Sequence, residues 1–262
     1  MRKTTSVCEV LLGLSLCAAL CAPAVAQSAP KLGLSEVVSR MQAAENAVQT
    51  RPAYTLLREY RISGADPNAA SSQVLAEVNY FPPADKQFAI KQRQGNERGE
   101  KIVRRVLEHE VKMSRDSAAS SFSTENYDFA LLGSETRNSK QCYVLQLFPK
   151  HASTELLRGK AWVDPDTFLI VRVEGEPAKS PSWWVRDLRV AIDYGRADSI
   201  WLPLTSQATA DLRLLGTHVM TAKDVQVRAA TVDANVKTPA ALPRHRSKSR
   251  GALADTAIWV PQ

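Results

Sequence analysis

Residues 141–174, QCYVLQLFPKHASTELLRGKAWVDPDTFLIVRVE, contain three apolar runs, Gln141–Phe148, Leu156–Val163 and Phe168–Glu174, separated by polar or turn-forming residues. Asp164-Pro165-Asp166 leaves room only for a tight turn between the second and third runs, and its carboxylates are of the kind that hydrogen-bond a turn backbone. Strands joined this closely are antiparallel, because a parallel pair needs a crossover of roughly a dozen residues or more. In the first run Tyr143, Leu145 and Leu147 fall on one side, and Cys142, Val144 and Phe148 on the other. In the third run Leu169, Val171 and Val173 make a second apolar face. Strands apolar on both sides need cover on both sides.

The same pattern extends outward. Downstream, Val185–Tyr194, Leu202–Leu214 and His218–Arg228 read as strands, the last two separated by Leu215-Gly216-Thr217. Upstream, Tyr127–Glu135 leads into the Asn138-Ser139-Lys140 turn. Earlier still, Tyr54–Ile62 places Tyr54, Leu56, Tyr60 and Ile62 on one face and Thr55, Glu59 and Arg61 on the other. Val74–Phe81 and Lys86–Gln92 flank Pro82-Pro83-Ala84-Asp85, where paired prolines stop a ladder. Helical spacing predicts one helix from Ser35 to about Ala47, with Leu34 and Ser35 as staple and cap. A second, capped by Asn96, should run from Glu97 to about Met113; Ile102, Val103, Val106, Leu107 and Val111 form its apolar stripe, with Glu110 as one charged intruder. The expected fold is therefore mainly β (α+β). About ten strands form an incomplete, strongly curved antiparallel barrel, and helices cover its concave face.

The ends read differently. Arg2 and Lys3, an apolar run from Val10 to Leu20, and Ala24-Val25-Ala26 make a signal peptide over residues 1–26. Removing those 26 of 262 residues leaves 236, and the loss of Arg2, Lys3 and Glu9 takes the formal charge from +7 to +6. The folded domain is expected over 27–230, followed by a flexible basic tail over 231–262 that includes Arg244-His245-Arg246 and Trp259. An exported, moderately basic chain of this kind points to the periplasm and away from nucleic acid. Leu20 directly before Cys21 argues against lipidation there. Of the four cysteines only Cys142 lies beyond the signal segment, and its apolar flanks read as core rather than as a nucleophile.

Motifs for chemistry are sparse. His109-Glu110 would begin a metalloprotease helix, but Met113 stands where the second histidine belongs. There is no Gly-x-Ser-x-Gly elbow and no glycine-rich phosphate loop. No catalytic residue, metal site or cofactor is expected, and the chain is read as a non-enzyme. Ser180-Pro181-Ser182-Trp183-Trp184 stands out, because only one of two adjacent strand residues can enter a given pocket. One of the pair would plug the end of the core while the other lies against a helix, or one would grip a ligand at a cavity mouth.

YTLLREY at 54–60, NYDFALL at 126–132, CYVLQLFPK at 142–150, LRGKAWVDP at 157–165 and SPSWW at 180–184 together resemble the LolA/LolB-like periplasmic lipoprotein-carrier superfamily, especially its exported lipoprotein-sorting members. The likeness runs from about Leu34 to Arg228. It implies a half-barrel whose apolar hollow holds a lipidated protein or a lipid-like ligand. It also implies a monomer in transient contact with inner- and outer-membrane sorting components. The superfamily's other task, sensing envelope stress by binding a membrane partner's periplasmic segment, is the alternative. Carriers of this type use an arginine near the cavity lid, for which Arg58 is the candidate in this chain. Strand alternation adds Leu56, Tyr60, Val78, Phe88, Ile90, Trp162 and Trp184 as cavity or lid contacts.

Overall fold

A computed structural model describes residues 32–64 and 70–229. The signal segment with Cys21, and the basic tail with Trp259, lie outside those residues. Helix α1 (Leu34–Gln49) comes first, then strands β1 (Tyr54–Ser63), β2 (Ala70–Phe81) and β3 (Asp85–Gly95). Helix α2 (Glu97–Ser114) and a short turn of 3-10 helix (Ser117–Ser120) follow. The remaining strands are β4 (Tyr127–Arg137), β5 (Lys140–Pro149), β6 (Leu157–Val163), β7 (Ile170–Pro177), β8 (Val185–Ala197), β9 (Ile200–Leu212) and β10 (Gly216–Ala229).

The ten strands form one antiparallel sheet in the order β3-β2-β1-β10-β9-β8-β7-β6-β5-β4. Every pairing but one joins strands consecutive in sequence. The exception, β1 with β10, sets Tyr60 opposite Ala222 and attaches the first three strands to the long meander. β3 and β4 are left as edges, so the barrel is open.

Alternation decides which side chains meet. Along β1, Tyr54, Leu56, Arg58, Tyr60 and Ile62 are all buried, while Arg61 is exposed. Register then builds rows across strands: Leu56 lies opposite Val78, and Val78 opposite Phe88. Tyr54 and Tyr80, also opposite each other, stack with centroids 5.0 Å apart. One continuous core on this inner face takes residues from the strands and from both helices, Val37 and Met41 of α1 and Val103, Val106 and Leu107 of α2 among them. At Gly159, opposite Gly175, the strands approach so closely that a Cβ would lie 1.9 Å from the Glu174 carbonyl oxygen.

Each helix is tied down at defined points. Asn96 caps α2, its Oδ1 accepting from the Gly99 amide at 2.9 Å. From β2 and β3 the helix reaches across to the β5–β6 connection, where His109 Nε2 and Glu155 Oε2 are 2.9 Å apart. Helix α1 begins at Leu34 with Gly33 as its N-cap, so Ser35 is inside the helix and does not cap it; the Val37 amide already reaches the Gly33 carbonyl at 3.1 Å. Its Arg40 guanidinium lies over the Phe168 ring, and Glu45 Oε1 accepts from the Ile170 amide at 3.0 Å.

Several strand ends differ from the sequence reading: β2 starts at Ala70 rather than Val74, β9 ends at Leu212 rather than Leu214, and β10 starts at Gly216 rather than His218. β7 starts at Ile170 rather than Phe168, because Phe168 has φ +59° and its amide closes the Asp164 turn. Asp164 itself does turn work, as expected, its Oδ1 accepting from the Asp166 and Thr167 amides. Trp183 and Trp184 lie in a turn before β8 instead of on the strand.

Candidate functional site

The two flanks of the inner face differ in what covers them, and the candidate site lies beneath α2. The charged intruder on the apolar stripe of α2 explains how that helix is held. Glu110 points into the sheet and meets Arg58 from β1 and Lys86 from β3. Arg58 Nη1 donates to Glu110 Oε1 at 3.0 Å, and Lys86 Nζ donates to the same oxygen at 3.4 Å. From β10, Asp224 takes the other side of the guanidinium, accepting from Nε at 2.5 Å and from Nη2 at 3.2 Å. Nη2 also donates to the Pro203 carbonyl at 3.4 Å. The four side chains are 1–6 % exposed, so two cations and two carboxylates neutralise one another away from water.

Their ionisation reflects that crowding. Burial alone would raise the Glu110 carboxyl, but the Lys86 ammonium and the Arg58 guanidinium overcome it and hold the group down at about 2. Burial lowers the Lys86 ammonium to about 8, against the pull of Glu110. Asp224 shifts upward, because its desolvation exceeds the attraction of Arg58. The cluster has the character of a clamp between the helix and three strands.

Toward the Ile62 end of β1 the inner face changes character. A cavity of about 110 Å³ opens between α2 and β8–β10; Ile102, Trp184, Leu188, Ala210, Leu212 and Met220 supply most of its apolar wall. Arg105 and His218 are its ionisable lining. At the opposite end of β1 a larger, polar cleft of about 640 Å³ lies beside the C-terminal half of α1, with Gln42, Glu45, Arg51, Ser121 and Thr124 on its walls. Burial pushes the Glu45 carboxyl up there.

The eight residues selected from sequence are distributed over four places. Leu56, Tyr60 and Val78 are buried in the main core, and Phe88 and Ile90 pack against it at its margin beneath α2. Arg58 is the centre of the ion cluster. Trp184 lines the apolar cavity, while its neighbour Trp183 is 76 % exposed. Trp162 does not join them. It sits in a small second cluster with Cys142, Val144 and Val171, beneath the Arg137 guanidinium and with its Nε1 donating to Glu135. That cluster covers only part of the second apolar side of β5, and Phe148 at the far end remains 47 % exposed. Glu110 and Asp224 were not among the selected residues. The signal for Glu110 was present, since a carboxylate on an apolar stripe needs a buried cation. No helix among the described residues is long and apolar enough to cross a membrane.

The fold and site define a mainly-β open barrel with a helix clamped over an apolar hollow. A family model described as "Uncharacterized protein" matches residues 111–244, just over half of the 262, and the chain belongs to that family. No curated protein matches the sequence. Among solved structures, the chain is similar to an outer membrane lipoprotein-sorting protein domain from Vibrio parahaemolyticus, at 13 % identity and a TM-score of 0.46, over 76 % of this chain and 94 % of that one. It is also similar to a DUF1329 family protein from Desulfovibrio piger, at 13 % identity and a TM-score of 0.40, over 78 % and 94 % of the two chains. A LolA superfamily protein from Nitrosomonas europaea matches at 11 % identity and a TM-score of 0.38, over 78 % and 96 %.

Proposed function

We propose that this chain is a periplasmic, non-enzymatic carrier or binding protein that takes the apolar chain of a lipidated protein, or of a lipid-like molecule, into the hollow under α2. The observation that carries this reading is the cavity at the Trp184 end, whose wall is apolar apart from Arg105 and His218. Such a site gains affinity from desolvation alone, at about 0.8 kcal/mol per methylene buried, and needs neither cofactor nor metal.

Its size adds a requirement. A roughly 150 Å³ apolar cavity in another protein holds one benzene ring. At about 110 Å³ the present hollow therefore seats only the end of a chain. Admitting more of the ligand means lifting the N-terminal half of α2, where Ile102 and Arg105 form the wall, while the Glu110 clamp keeps the C-terminal half in place.

Binding of a fluorescent fatty-acid analogue to the purified protein tests the reading. Saturable binding should fall at least tenfold in Ala210→Trp, whose indole fills the cavity, with the melting transition kept as the control on folding. Equal binding by a folded Ala210→Trp variant would place the ligand elsewhere and end the proposal.

A further inference from the structure

The turns around the cavity mouth carry the most exposed large apolar side chains among the described residues. Leu214 is 90 % exposed, Trp183 76 % and Leu215 64 %. Two bonds bring them together: the Arg213 amide donates to the Trp184 carbonyl at 3.0 Å, and Arg213 Nε to the Trp183 carbonyl at 2.8 Å. The Trp183 turn therefore lies against the β9–β10 turn that holds both leucines. Single exposed apolar residues are ordinary, but three on two adjoining turns mark a contact surface.

The surroundings say what kind of surface this is. Arg105 reaches the mouth from α2, Arg186 and Arg189 project from the start of β8, and Arg213 links the two turns. The acids facing them are Asp211, 3.3 Å from Arg186, and Asp187, 3.3 Å from Arg189. Four arginines against two aspartates leave a positive rim around an apolar tip. Trp prefers the boundary between water and acyl chains, and arginine meets lipid phosphates there. Side chains that project from turns, instead of lining a groove, suit a deformable layer better than a shaped protein surface.

We infer that this tip seats the protein on an anionic lipid bilayer, with Trp183, Leu214 and Leu215 entering the headgroup boundary and the arginine rim contacting phosphates. The cavity mouth, a few residues away at Trp184 and Leu212, then faces the membrane. Docking at the tip does not depend on the hollow being occupied, so it stands or falls separately from the carrier reading.

The test is co-sedimentation of the purified protein with vesicles of phosphatidylglycerol and phosphatidylethanolamine, compared with phosphatidylcholine alone. Binding to the anionic vesicles that weakens with added salt, and that drops at least tenfold in the double variant Leu214→Ser/Leu215→Ser, is the expected result. Trp183→Phe should abolish most of the blue shift in tryptophan emission on vesicle binding. All three substitutions are at exposed positions, so unchanged melting is expected and serves as the control. Equal vesicle binding by wild type and the double variant overturns the inference, as does an absence of binding by wild type. So does a vesicle-free dimer, seen by sedimentation velocity, that the same substitutions dissolve, since the tip is then a protein contact.

Discussion

Replacing Glu110 by Gln removes the carboxylate that two buried cations share while leaving the side chain's shape intact. Arg58 retains Asp224, and Lys86 loses its 3.4 Å contact with the carboxylate. Breaking a buried pair in this way costs about 3–5 kcal/mol. Lys86 is already depressed to about 8 by burial, so in the variant it can shed its proton near neutral pH and recover part of the loss, which favours the lower end of that range. For a domain of this size each 1 kcal/mol moves the melting temperature by roughly 2–4 °C, so Glu110→Gln should melt about 6–12 °C lower. Urea denaturation at pH 7.5 is the assay, with an unchanged slope showing that the comparison is one of stability. Acid provides a second check. The folded carboxyl titrates at about 2, below its ordinary 4.5, so the native state binds fewer protons than the unfolded chain between those values. Its stabilising contribution is complete above pH 4.5 and disappears as pH falls through about 2, so the gap between wild type and variant should close on acidification. A loss below about 1 kcal/mol at pH 7.5, or a gap that stays constant down to pH 3, would refute the clamp.

Three further outcomes follow from the same structure. Because the Lys86 ammonium titrates at about 8 when folded and at its ordinary 10.5 when unfolded, the unfolded chain holds more protons in that window; stability should rise from pH 8 toward 10, and Lys86→Met should remove the rise in paired urea titrations. Gly159→Ala forces a Cβ against the Glu174 carbonyl and should cost more than about 2 kcal/mol, measured by the shift in urea midpoint; a loss under about 0.5 kcal/mol would mean that the β6–β7 pair is looser than described. Cys142 is 2 % exposed and burial pushes its thiol up, so a thiol reagent should label it only at the rate of unfolding; rapid labelling of the native protein would contradict the outer-face cluster.

What the sequence could and could not disclose follows from the range of each interaction. Alternation from Tyr54 to Ile62 and the Asp164 turn are local, and both are found as read. Asn96 was legible as a cap because its side chain bonds only three residues ahead. The ion cluster was not legible as a cluster. Its two carboxylates are 52 and 166 residues from Arg58, and they meet only because β1 pairs with β10 and α2 folds back over β3. Arg58 nonetheless occupies the same alternating positions as Leu56 and Tyr60, so its burial was implicit. Trp162 illustrates a limit of periodicity. On a strand apolar on both sides alternation separates two faces without saying which is inner, and β6 gives Ala161 and Val163 to the main core and Trp162 to the other side. For Trp183 and Trp184 the strand assumption gave opposite faces; the turn that replaces it still sends them to different places, one to the cavity and one to solvent.

The central claim is that the hollow under α2 holds an apolar chain. Native mass spectrometry of the protein purified from its host without detergent, with solvent extraction and lipid analysis of the same sample, tests it most directly. The account predicts a bound acyl species that is lost in a folded Ala210→Trp variant. An empty wild-type protein, or a ligand kept unchanged by that variant, would contradict it.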